Sequence, residues 1–498
     1  MTLQSLLDSL EYSLIQGSIQ TEISHLTEDS RTVRKGSLFF CRRGYQTDGE
    51  QYLAEALAKG AAAVICQSAG SEMLELLFSR DISVAVVGNM DEAMQTAAAN
   101  FYDHPQKKLT LIGITGTKGK TTVSMMLRAL LECAGLKTIL IGTNGIFTGD
   151  QSFLPTHTTP PLLQLYQYLD QAVRSGCSHA VMEVSSLAVK QGRIRGLDFS
   201  LGVFTNFSPD HILAGEHESL EEYRSWKRQF LEQCPFCVLN VDDPWGEELS
   251  RQLTCPMLTC SRKRKADLYA VQAECRMEDS FWGSVVEVMG CYEGVFRLSM
   301  PGSYNVSNAL TAAAAGFWAG VSFEQIWETM QRIQVTGRCQ VAARYHGAWL
   351  VIDYAHNESS LLAVLNMVRE YHPHRIVCLF GCGGERSKLR RFGMGRISAR
   401  LADVTVITQD NSRREPFSSI LADIMDGIRM ERGEYLIIPD RTEAIRHCIR
   451  LARPGDFILF LGKGHETYQE INGSRQHFSD LETICREIEN ETKEKGEQ

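Results

Sequence analysis

The residues with the clearest chemical purpose lie in the glycine-rich stretch GITGTKGKTT at positions 113–122. An apolar run precedes this loop and a helix-like pattern follows it, which is the setting that a phosphate-binding loop requires. Lys120 can reach the β- and γ-phosphates of a nucleotide, and the Thr121 hydroxyl can ligate Mg²⁺. The backbone N–H groups expected to converge on phosphate oxygens are those of Gly116, Thr117, Lys118 and Gly119. The sequence therefore predicts a nucleotide site, although the glycine spacing differs from the general phosphate-loop pattern.

Two polar residues follow other buried strands and could complete this site. Glu183 ends the run in VMEVSS, and His211 lies in NFSPDHI. In an open α/β sheet, ligands bind at the carboxyl ends of the strands. Both side chains could therefore hold magnesium near the nucleotide, although each alone also fits a capping or structural role.

The elements that must position these residues alternate between apolar strand-like runs and helix-length segments. This alternation predicts an α/β protein with a central, doubly wound, mostly parallel sheet and a C-terminal Rossmann-like domain. The polar stretch YDHPQKK predicts a linker, and a second boundary is expected near Thr336. The predicted domains are a small N-terminal α/β domain at 1–105, a central domain at 106–336 and a C-terminal domain at 337–498.

Composition limits the class of protein. The net charge of −9 argues against a general nucleic-acid binder, and no apolar run approaches the ~20 residues that cross a bilayer. The 15 cysteines are scattered and odd in number, as expected in a reducing cytosol. Cys234 and Cys237 form a CxxC pair that we interpret as half-buried structural thiols. We expect a cytoplasmic monomer without a secretory leader.

The motifs above and several others resemble those of the Mur ligase family and, within it, the MurE type. The resemblance extends along the chain from residues 28–31 to residues 478–482. In chain order they are GTKGKTT, MEVSS, TNFSPDH, EEYRSWK, NVDD, NVSN, GR, DYAHN, FGCGGERSKLRR, QDNSRREP and LGKGHETYQ. The resemblance implies a cytoplasmic, ATP-dependent, ADP-forming ligase that extends the peptidoglycan stem peptide. Such an enzyme phosphorylates a substrate carboxylate and lets an amine displace the phosphate, so the protein mainly positions groups and neutralises charge.

The resemblance also implies which residues act in catalysis. Lys120 would neutralise the triphosphate, Thr121 and Glu183 would bind one Mg²⁺, and His211 would help to hold a second. Lys227, in EEYRSWK, matches a lysine that the family carbamylates with CO₂ to make a further magnesium ligand. From the sequence pattern alone, Lys227 is predicted to be an ordinary lysine on a helix surface.

Three sets of binding residues follow from the same resemblance. The ATP set adds Thr122, Asn305, Asn308, Arg338 and His356 to the loop, although both asparagines could instead be helix caps. The set for the UDP-linked substrate is Ser30, Tyr45, Gln46, Thr47, Thr158, Thr159, Ser185, Gln191 and Arg193. The set for the incoming amino acid is Arg386, Asp410, Asn411, Arg413, Gly462 and Glu466.

The choice of amino acid depends on the motif DNSR at 410–413. In family members that use meso-diaminopimelate the motif reads DNPR, and its arginine binds the distal carboxylate. A lysine pocket has no such carboxylate, and a buried arginine without an anion is costly. Arg413 therefore favours meso-diaminopimelate over L-lysine, which remains the alternative.

Several positions depart from the family pattern and leave other substrates open. On the side of the UDP-linked substrate they are Glu28, His157 and Leu187; Lys118 and Gln340 depart elsewhere. A related ligase acting on a modified cell-wall precursor or a poly-amino acid is one alternative. A nucleotide-binding scaffold without catalysis is another, although the intact Lys120, Glu183 and Lys227 oppose it.

Overall fold

The computed structural model describes residues 1–42, 48–68, 71–149, 151–153, 157–209, 217–278 and 281–496. The chain forms two compact units. The first comprises Met1–Ser261, Lys265–Asp267 and Thr311–Ser322, and the second comprises Arg262–Arg264, Leu268–Leu310 and Phe323–Gln498. Among the described residues, no helix has the length and apolar character needed to span a bilayer.

The N-terminal part of the first unit is a five-stranded sheet in the order β1–β5–β4–β3–β2. The strands are β1 (Tyr12–Gln16), β2 (His25–Thr27), β3 (Ser37–Phe40), β4 (Ala61–Cys66) and β5 (Ser83–Val87). Its helices are α1 (Leu3–Leu6), α2 (Leu53–Ala58), α3 (Ser71–Phe78) and α4 (Met90–Phe101), with 3-10 turns at Ser30–Thr32, Gly49–Tyr52 and Pro105–Lys107. Strand β1 pairs antiparallel and the other strands pair parallel, which confirms the small α/β domain.

The rest of the first unit contains the phosphate loop, on strands ordered β13–β12–β11–β6–β10–β7–β8–β9. The strands are β6 (Thr110–Thr115), β7 (Thr138–Gly142), β8 (Gly145–Thr148), β9 (Gln151–Phe153), β10 (His179–Glu183), β11 (Phe199–Phe204), β12 (Cys237–Asn240) and β13 (Met257–Ser261). The helices are α5 (Lys120–Cys133), α6 (Leu162–Arg174), α7 (Ser186–Lys190), α8 (Leu220–Glu232) and α9 (Pro244–Gln252). From β13 through β7 the pairing is parallel, and β8 and β9 add an antiparallel edge. The mostly parallel central sheet is therefore confirmed.

The packing of α8 on β6 brings a distant part of the chain to the loop. Gly113 lies within β6, and a Cβ there would come 2.4 Å from Cζ of Phe230 on α8. A larger residue would push the helix away from the sheet. Since Lys227 lies one turn before Phe230, this close approach also sets the position of Lys227. The Cys234 and Cys237 thiols, which follow α8, are fully buried and donate to backbone carbonyls of that helix.

The second unit contains an antiparallel three-strand segment and a six-stranded sheet ordered β17–β18–β22–β19–β20–β21. The first group is β14 (Leu268–Glu278), β15 (Phe281–Gly290) and β16 (Gly294–Leu298). The sheet is β17 (Gln340–Tyr345), β18 (Ala348–Asp353), β19 (Arg375–Phe380), β20 (Val404–Ile407), β21 (Glu434–Ile437) and β22 (Asp456–Leu461), followed by the hairpin β23 (Tyr468–Ile471) and β24 (Ser474–His477). The sheet is parallel except for β17, as predicted for a Rossmann-like domain.

The later helices alternate with these strands. They are α10 (Ser303–Trp318), α11 (Phe323–Met330), α12 (Glu358–Arg369), α13 (Lys388–Leu401), α14 (Phe417–Ile428), α15 (Arg441–Arg450) and α16 (Asp480–Gly496). The domain limits at 105/106 and 336/337 remain a prediction.

A buried ion pair joins α16 to α15 in the second unit. Arg441 and Asp480 are almost fully buried, with Nε–Oδ1 and Nη2–Oδ2 distances of 2.8 and 2.7 Å. Nη2 of Arg441 also donates to the Leu461 carbonyl at 3.1 Å. Removing one partner of such a pair leaves an uncompensated buried charge.

Asp480→Ala is therefore expected to lower the unfolding free energy of the second unit by about 3–5 kcal/mol. Urea titration monitored by tryptophan fluorescence measures this loss. The matched control is Asp426→Ala, because the Asp426–Arg429 pair is more than half exposed and its loss should cost below about 1 kcal/mol. Equal midpoints for the two variants would contradict the role of the buried pair.

Candidate active site

The phosphate loop leaves β6 at Thr115 and enters α5 at Lys120. Gly116 adopts φ 145°, and a Cβ on it would lie 2.0 Å from the Thr205 hydroxyl. Gly119 caps α5 with φ 82°. Both conformations favour glycine. The glycines thus let the loop turn sharply against the end of β11.

The loop is held from outside by Thr205 and Asn206, which directly follow β11. The N–H of Thr117 donates to the Asn206 carbonyl at 2.8 Å, and the N–H of Lys118 donates to Asn206 Oδ1 at 2.9 Å. The Lys118 carbonyl accepts from Thr205 Oγ1 at 2.6 Å and from Asn206 Nδ2 at 2.9 Å. Two of the N–H groups predicted for phosphate binding are therefore engaged by Asn206 here. This role of Asn206 was not predicted, although the residue belongs to the TNFSPDH motif.

Two lysines converge on one carbonyl of the loop. Lys120 Nζ donates to the Gly116 carbonyl at 2.8 Å and to the Thr117 carbonyl at 3.1 Å. Lys227 Nζ donates to the same Gly116 carbonyl at 2.9 Å. The structure thus places Lys227 beside the phosphate loop, although it lies more than a hundred residues further along the chain.

Lys227 is fully buried, so the prediction of a helix-surface lysine was wrong. Its Nζ lies 4.5 Å from the centre of the Tyr223 ring, and the Tyr223 hydroxyl donates to Thr117 Oγ1 at 3.2 Å. Burial, and then the charge of Lys120, hold the pKa of Lys227 well below its usual value. An amine in this environment has a larger neutral fraction than a surface lysine.

Glu183 lies at the carboxyl end of β10, beside the first turn of α5. Its Oε2 accepts from the hydroxyls of Thr121 and Thr143, both at 3.1 Å, and its Oε1 accepts from the Thr143 N–H at 2.8 Å. A Cβ on Gly142 would lie 2.3 Å from Oε1. The carboxylate is therefore fixed next to Thr121, as the strand-end argument predicted, and Thr143 is a partner that the sequence did not reveal.

These oxygens fit a magnesium site. A hydroxyl and a carboxylate are ligands that Mg²⁺ prefers, and Thr121 and Glu183 bring them together at the end of the phosphate loop. Within the described part of the chain, no group of three or more histidine, cysteine or acidic side chains could hold a metal. His211 lies outside the described residues.

The residues predicted for the sugar-peptide end form a cluster around the Glu183 backbone. Thr159 Oγ1 donates to the Glu183 carbonyl at 2.8 Å and accepts from the Ser185 N–H at 3.1 Å. Arg193 donates to the Thr159 carbonyl at 2.8 Å and to Gln191 Oε1 through Nε at 2.9 Å. Thr158 joins the cluster through its hydroxyl, 3.0 Å from the Thr143 hydroxyl.

Of the residues predicted for the UDP end, Ser30 begins a 3-10 turn of the N-terminal domain, and the other three lie outside the described residues. Ser30 is buried and donates to Glu55 Oε2 at 2.7 Å. Tyr45, Gln46 and Thr47 lie outside the described residues. The unusual Glu28 pairs with Arg42 at 3.4 Å, and Arg42 also donates to the Gln191 carbonyl at 3.3 Å.

In the second unit, the residues predicted for the amino acid meet at the ends of β19, β20 and β22. Asn411 Nδ2 donates to Glu466 Oε2 at 2.8 Å. Gly462 has φ 104°, and a Cβ on it would lie 3.0 Å from Asp410 Oδ2. Lys463, which belongs to the LGKGHETYQ motif, is fully buried among these side chains, and no role was predicted for it.

Arg413 and Arg386 lie beside Gly383, in the loop that follows β19. A Cβ on Gly383 would lie 3.3 Å from Arg413 Nη1 and 3.6 Å from Arg386 Cγ. Arg413 Nη1 donates to the Gly384 carbonyl at 2.5 Å, and Arg386 is exposed. A guanidinium carries five N–H donors, so the bond to Gly384 orients Arg413 and leaves donors for an anion.

Two of the predicted nucleotide residues of the second unit share Tyr354. The Arg338 guanidinium lies 5.0 Å from the centre of the Tyr354 ring, and the His356 ring lies 4.7 Å from it. Burial lowers the pKa of His356. Its Nδ1 is 2.8 Å from the Tyr354 carbonyl. Tyr354 belongs to the DYAHN motif, but it was not predicted as a site residue.

Asn305 and Asn308 form a separate, buried pair inside α10. Asn305 Nδ2 donates to the Pro301 carbonyl at 2.7 Å, and Asn308 Nδ2 donates to Asn305 Oδ1 at 3.1 Å. Neither residue is the N-cap of the helix, so the capping alternative does not describe them. Their role in nucleotide binding remains a prediction.

Comparison with known proteins assigns the chain to a family. It matches the Mur ligase family catalytic domain over residues 22–102, the Mur ligase middle domain over 114–316 and the Mur ligase glutamate ligase domain over 337–464. A UDP-N-acetylmuramoyl-L-alanyl-D-glutamate–2,6-diaminopimelate ligase of Clostridium tetani is 35% identical over 492 residues, covering 98% of this chain and 99% of the relative. The chain belongs to the Mur ligase family. Mur ligases are ATP-dependent, ADP-forming enzymes that use Mg²⁺, and this Mur ligase is an enzyme of that class.

Other comparisons agree with this assignment. The ligase of the same name from Geobacillus kaustophilus is 36% identical over 501 residues, covering 96% of this chain and 98% of the relative. A solved structure of a ligase of this name is 28% identical, with a TM-score of 0.67 and 99% of both chains covered. A UDP-N-acetylmuramoylalanyl-D-glutamyl-2,6-diaminopimelate–D-alanyl-D-alanyl ligase of Acinetobacter baumannii shares the fold, with a TM-score of 0.66 at 19% identity and 98% of both chains covered. The predicted three-domain α/β architecture of this Mur ligase is thereby confirmed.

Proposed function

We propose that this Mur ligase uses ATP to join meso-2,6-diaminopimelate to UDP-MurNAc-L-Ala-D-Glu. The observation that carries the proposal is the identity of 35–36% with diaminopimelate ligases over nearly the full chain. Arg413, in the loop that holds Asp410 and Asn411, gives a chemical reason for the same choice. A guanidinium binds a second carboxylate in bidentate fashion, and lysine lacks that carboxylate.

In the first step, the terminal carboxylate of the substrate attacks the γ-phosphorus of ATP. The bond to the β,γ-bridging oxygen breaks, ADP leaves, and an acyl phosphate forms. Because both partners are anions, Lys120 has to move from the Gly116 and Thr117 carbonyls to the phosphates. Thr121 and Glu183 would hold Mg²⁺, which supplies further neutralisation of the phosphate charge.

Lys227 is proposed to act as a carbamate. Its buried amine, with a lowered pKa, lies against the Gly116 carbonyl at the phosphate loop. The neutral amine nitrogen forms a bond to the carbon of CO₂ as one C=O π bond opens, and one proton goes to solvent, which turns a neutral amine into an anion with two oxygens. Together with His211, such an anion would supply hard oxygen and imidazole ligands for a second Mg²⁺.

In the second step, an amine of the amino acid attacks the acyl carbon, the amide bond forms and phosphate leaves. The amine must be neutral to attack, so its proton goes to solvent or to a nearby base. Asp410, Asn411, Arg413, Gly462, Glu466 and Arg386 are proposed to bind the amino acid. Their work is to hold the amine in position, since positioning provides much of the rate of such reactions.

The other predicted sets are proposed for the remaining parts of the substrates. The loop residues 116–122, with Asn305, Asn308, Arg338 and His356, would bind ATP. Ser30, residues 45–47, Thr158, Thr159, Ser185, Gln191 and Arg193 would bind the UDP-linked substrate. We also propose a cytoplasmic monomer with the domain limits predicted above; sedimentation equilibrium tests the oligomeric state.

A phosphate-release screen tests the proposal. Purified protein is incubated with Mg²⁺, ATP, UDP-MurNAc-L-Ala-D-Glu and one of meso-diaminopimelate, L-lysine or L-ornithine. We expect phosphate release that requires all components and is fastest with meso-diaminopimelate. Faster turnover with lysine, or turnover without the UDP-linked dipeptide, would refute the proposed substrates.

Arg413→Ala is expected to raise the KM for meso-diaminopimelate by about a hundredfold, because a charge-assisted bidentate contact contributes about 2–3 kcal/mol. Any residual turnover with L-lysine should change by less than about threefold, since lysine offers no distal carboxylate. Arg475→Ala is the control, because Arg475 is two-thirds exposed. An equal loss for both amino acids would assign Arg413 a purely structural role.

A further inference from the structure

Lys463 is a fully buried cation in the second unit, directly after β22 and Gly462. Its side chain is 0% exposed, although lysine is among the residues that are almost never fully buried without a partner. Its ammonium donates to the Tyr468 carbonyl at 2.6 Å, to Glu466 Oε2 at 3.2 Å and to Asn411 Oδ1 at 3.3 Å. Since an ammonium has three donors, these bonds use all of them, and Lys463 has no donor left for a substrate.

The bonds of Lys463 orient the groups around it. Asn411 Oδ1 accepts from Lys463 and also from the Glu470 N–H at 3.0 Å. The amide is therefore turned so that its Nδ2 donates to Glu466 Oε2. Glu466 in turn receives both Asn411 and Lys463 on the same oxygen. The lysine thus fixes two of the side chains proposed to bind the amino acid.

The charges in this pocket do not cancel. Lys463 faces Glu466 and also Asp410, whose Oδ1 is 3.6 Å away. Arg441 and Asp480 form a separate buried ion pair with each other. Among Lys463, Glu466 and Asp410, one ammonium thus faces two carboxylates, which leaves one negative charge in this group of three; Arg413 is proposed to bind the distal carboxylate of the substrate. Burial raises the pKa of Glu466, and the Lys463 ammonium opposes the shift.

We infer that Lys463 is a positioning residue of the amino-acid site, which holds Glu466 and leaves the pocket with the charge that accepts one substrate ammonium. This inference rests on the proposed function, because it assumes that the pocket binds an amino acid. Lys463 acts through Glu466 and Asn411 and does not touch the substrate. Without Lys463, two buried carboxylates would repel each other, and Glu466 would protonate or turn away.

The test is Lys463→Met, which keeps most of the length of the unbranched side chain and removes the charge. We expect the KM for meso-diaminopimelate to rise about 30- to 300-fold, while kcat at saturation changes by less than about threefold and the KM for ATP by less than about twofold. Lys493→Met is the matched control on the exposed face of α16, with unchanged constants. An unchanged amino-acid KM in Lys463→Met would overturn the inference.

A double-mutant cycle separates positioning from packing. Glu466→Gln alone should raise the KM for the amino acid, because the ammonium loses its acceptor. Adding Lys463→Met to Glu466→Gln should then change the KM by less than about threefold, since the carboxylate that Lys463 holds is already neutral. If the effects instead multiply, Lys463 acts through packing and the inference fails.

The double variant keeps the inference testable even if Lys463→Met alone does not fold. If Lys463→Met alone does not fold, the double variant removes both charges of the pair together and is compared with Glu466→Gln. The wild-type enzyme distinguishes a failure of the proposed function from a failure of the inference about Lys463. Wild-type protein without amino-acid-dependent phosphate release refutes the proposed function, whereas active wild type with multiplying effects refutes the role of Lys463 alone.

Discussion

Lys120→Ala is expected to lower kcat/KM by about a thousandfold or more, the range that loss of a cation at a transferring phosphoryl group produces. The physical reason is the proximity of two anions, the substrate carboxylate and the triphosphate. The Lys120 ammonium lies at the loop, where it donates to the Gly116 and Thr117 carbonyls. Amino-acid-dependent phosphate release at saturating ATP measures the loss.

Lys107→Ala is the control for this variant, because Lys107 is an exposed lysine of the same unit. Its activity should match that of the wild type, and both variants should unfold at the wild-type temperature. Turnover of Lys120→Ala within tenfold of the wild type would remove the phosphate loop from the mechanism.

Lys227→Ala is expected to lose activity by about a hundredfold or more, because a proposed metal ligand in the reacting centre disappears. Acetate or another small carboxylate should restore part of this activity by entering the space that the side chain leaves. Phosphate release across an acetate titration measures the rescue. Bicarbonate should raise the activity of wild-type enzyme that has been depleted of CO₂.

Arg228→Ala tests whether any truncation on α8 has the same effect. Arg228 neighbours Lys227 in sequence, but it is exposed and pairs with Glu232. We expect wild-type activity and no response to acetate. Full activity of Lys227→Ala without added acid would refute the carbamate.

The parallel strands were predictable because each is a short apolar run followed by a helix-length segment. The runs that contain Ile114, Val181 and Leu459 illustrate this, since all three side chains are fully buried. The antiparallel strands β14 to β16 were not predicted. Most of β14 is exposed on both faces, so its sequence lacks the apolar run that identifies a buried strand.

The residues of the candidate site also differ in whether the sequence alone could predict them. Lys120 and Thr121 could be found because their spacing within one loop defines their chemistry, and Glu183 because it ends a buried strand. Asn206 and Thr143 were not assigned, because their contacts join segments far apart in the chain. The burial of Lys227 depends on the close packing of Phe230 on Gly113, which helical periodicity alone does not reveal.

The backbone of residue 118 is bonded on both sides to Thr205 and Asn206. These bonds involve only backbone atoms of residue 118, so they are available to any side chain at that position. Residue 118 is therefore an attachment point for a spectroscopic reporter. A cysteine introduced there and labelled with a small fluorophore would signal nucleotide arrival in real time while leaving the fold of the turn intact.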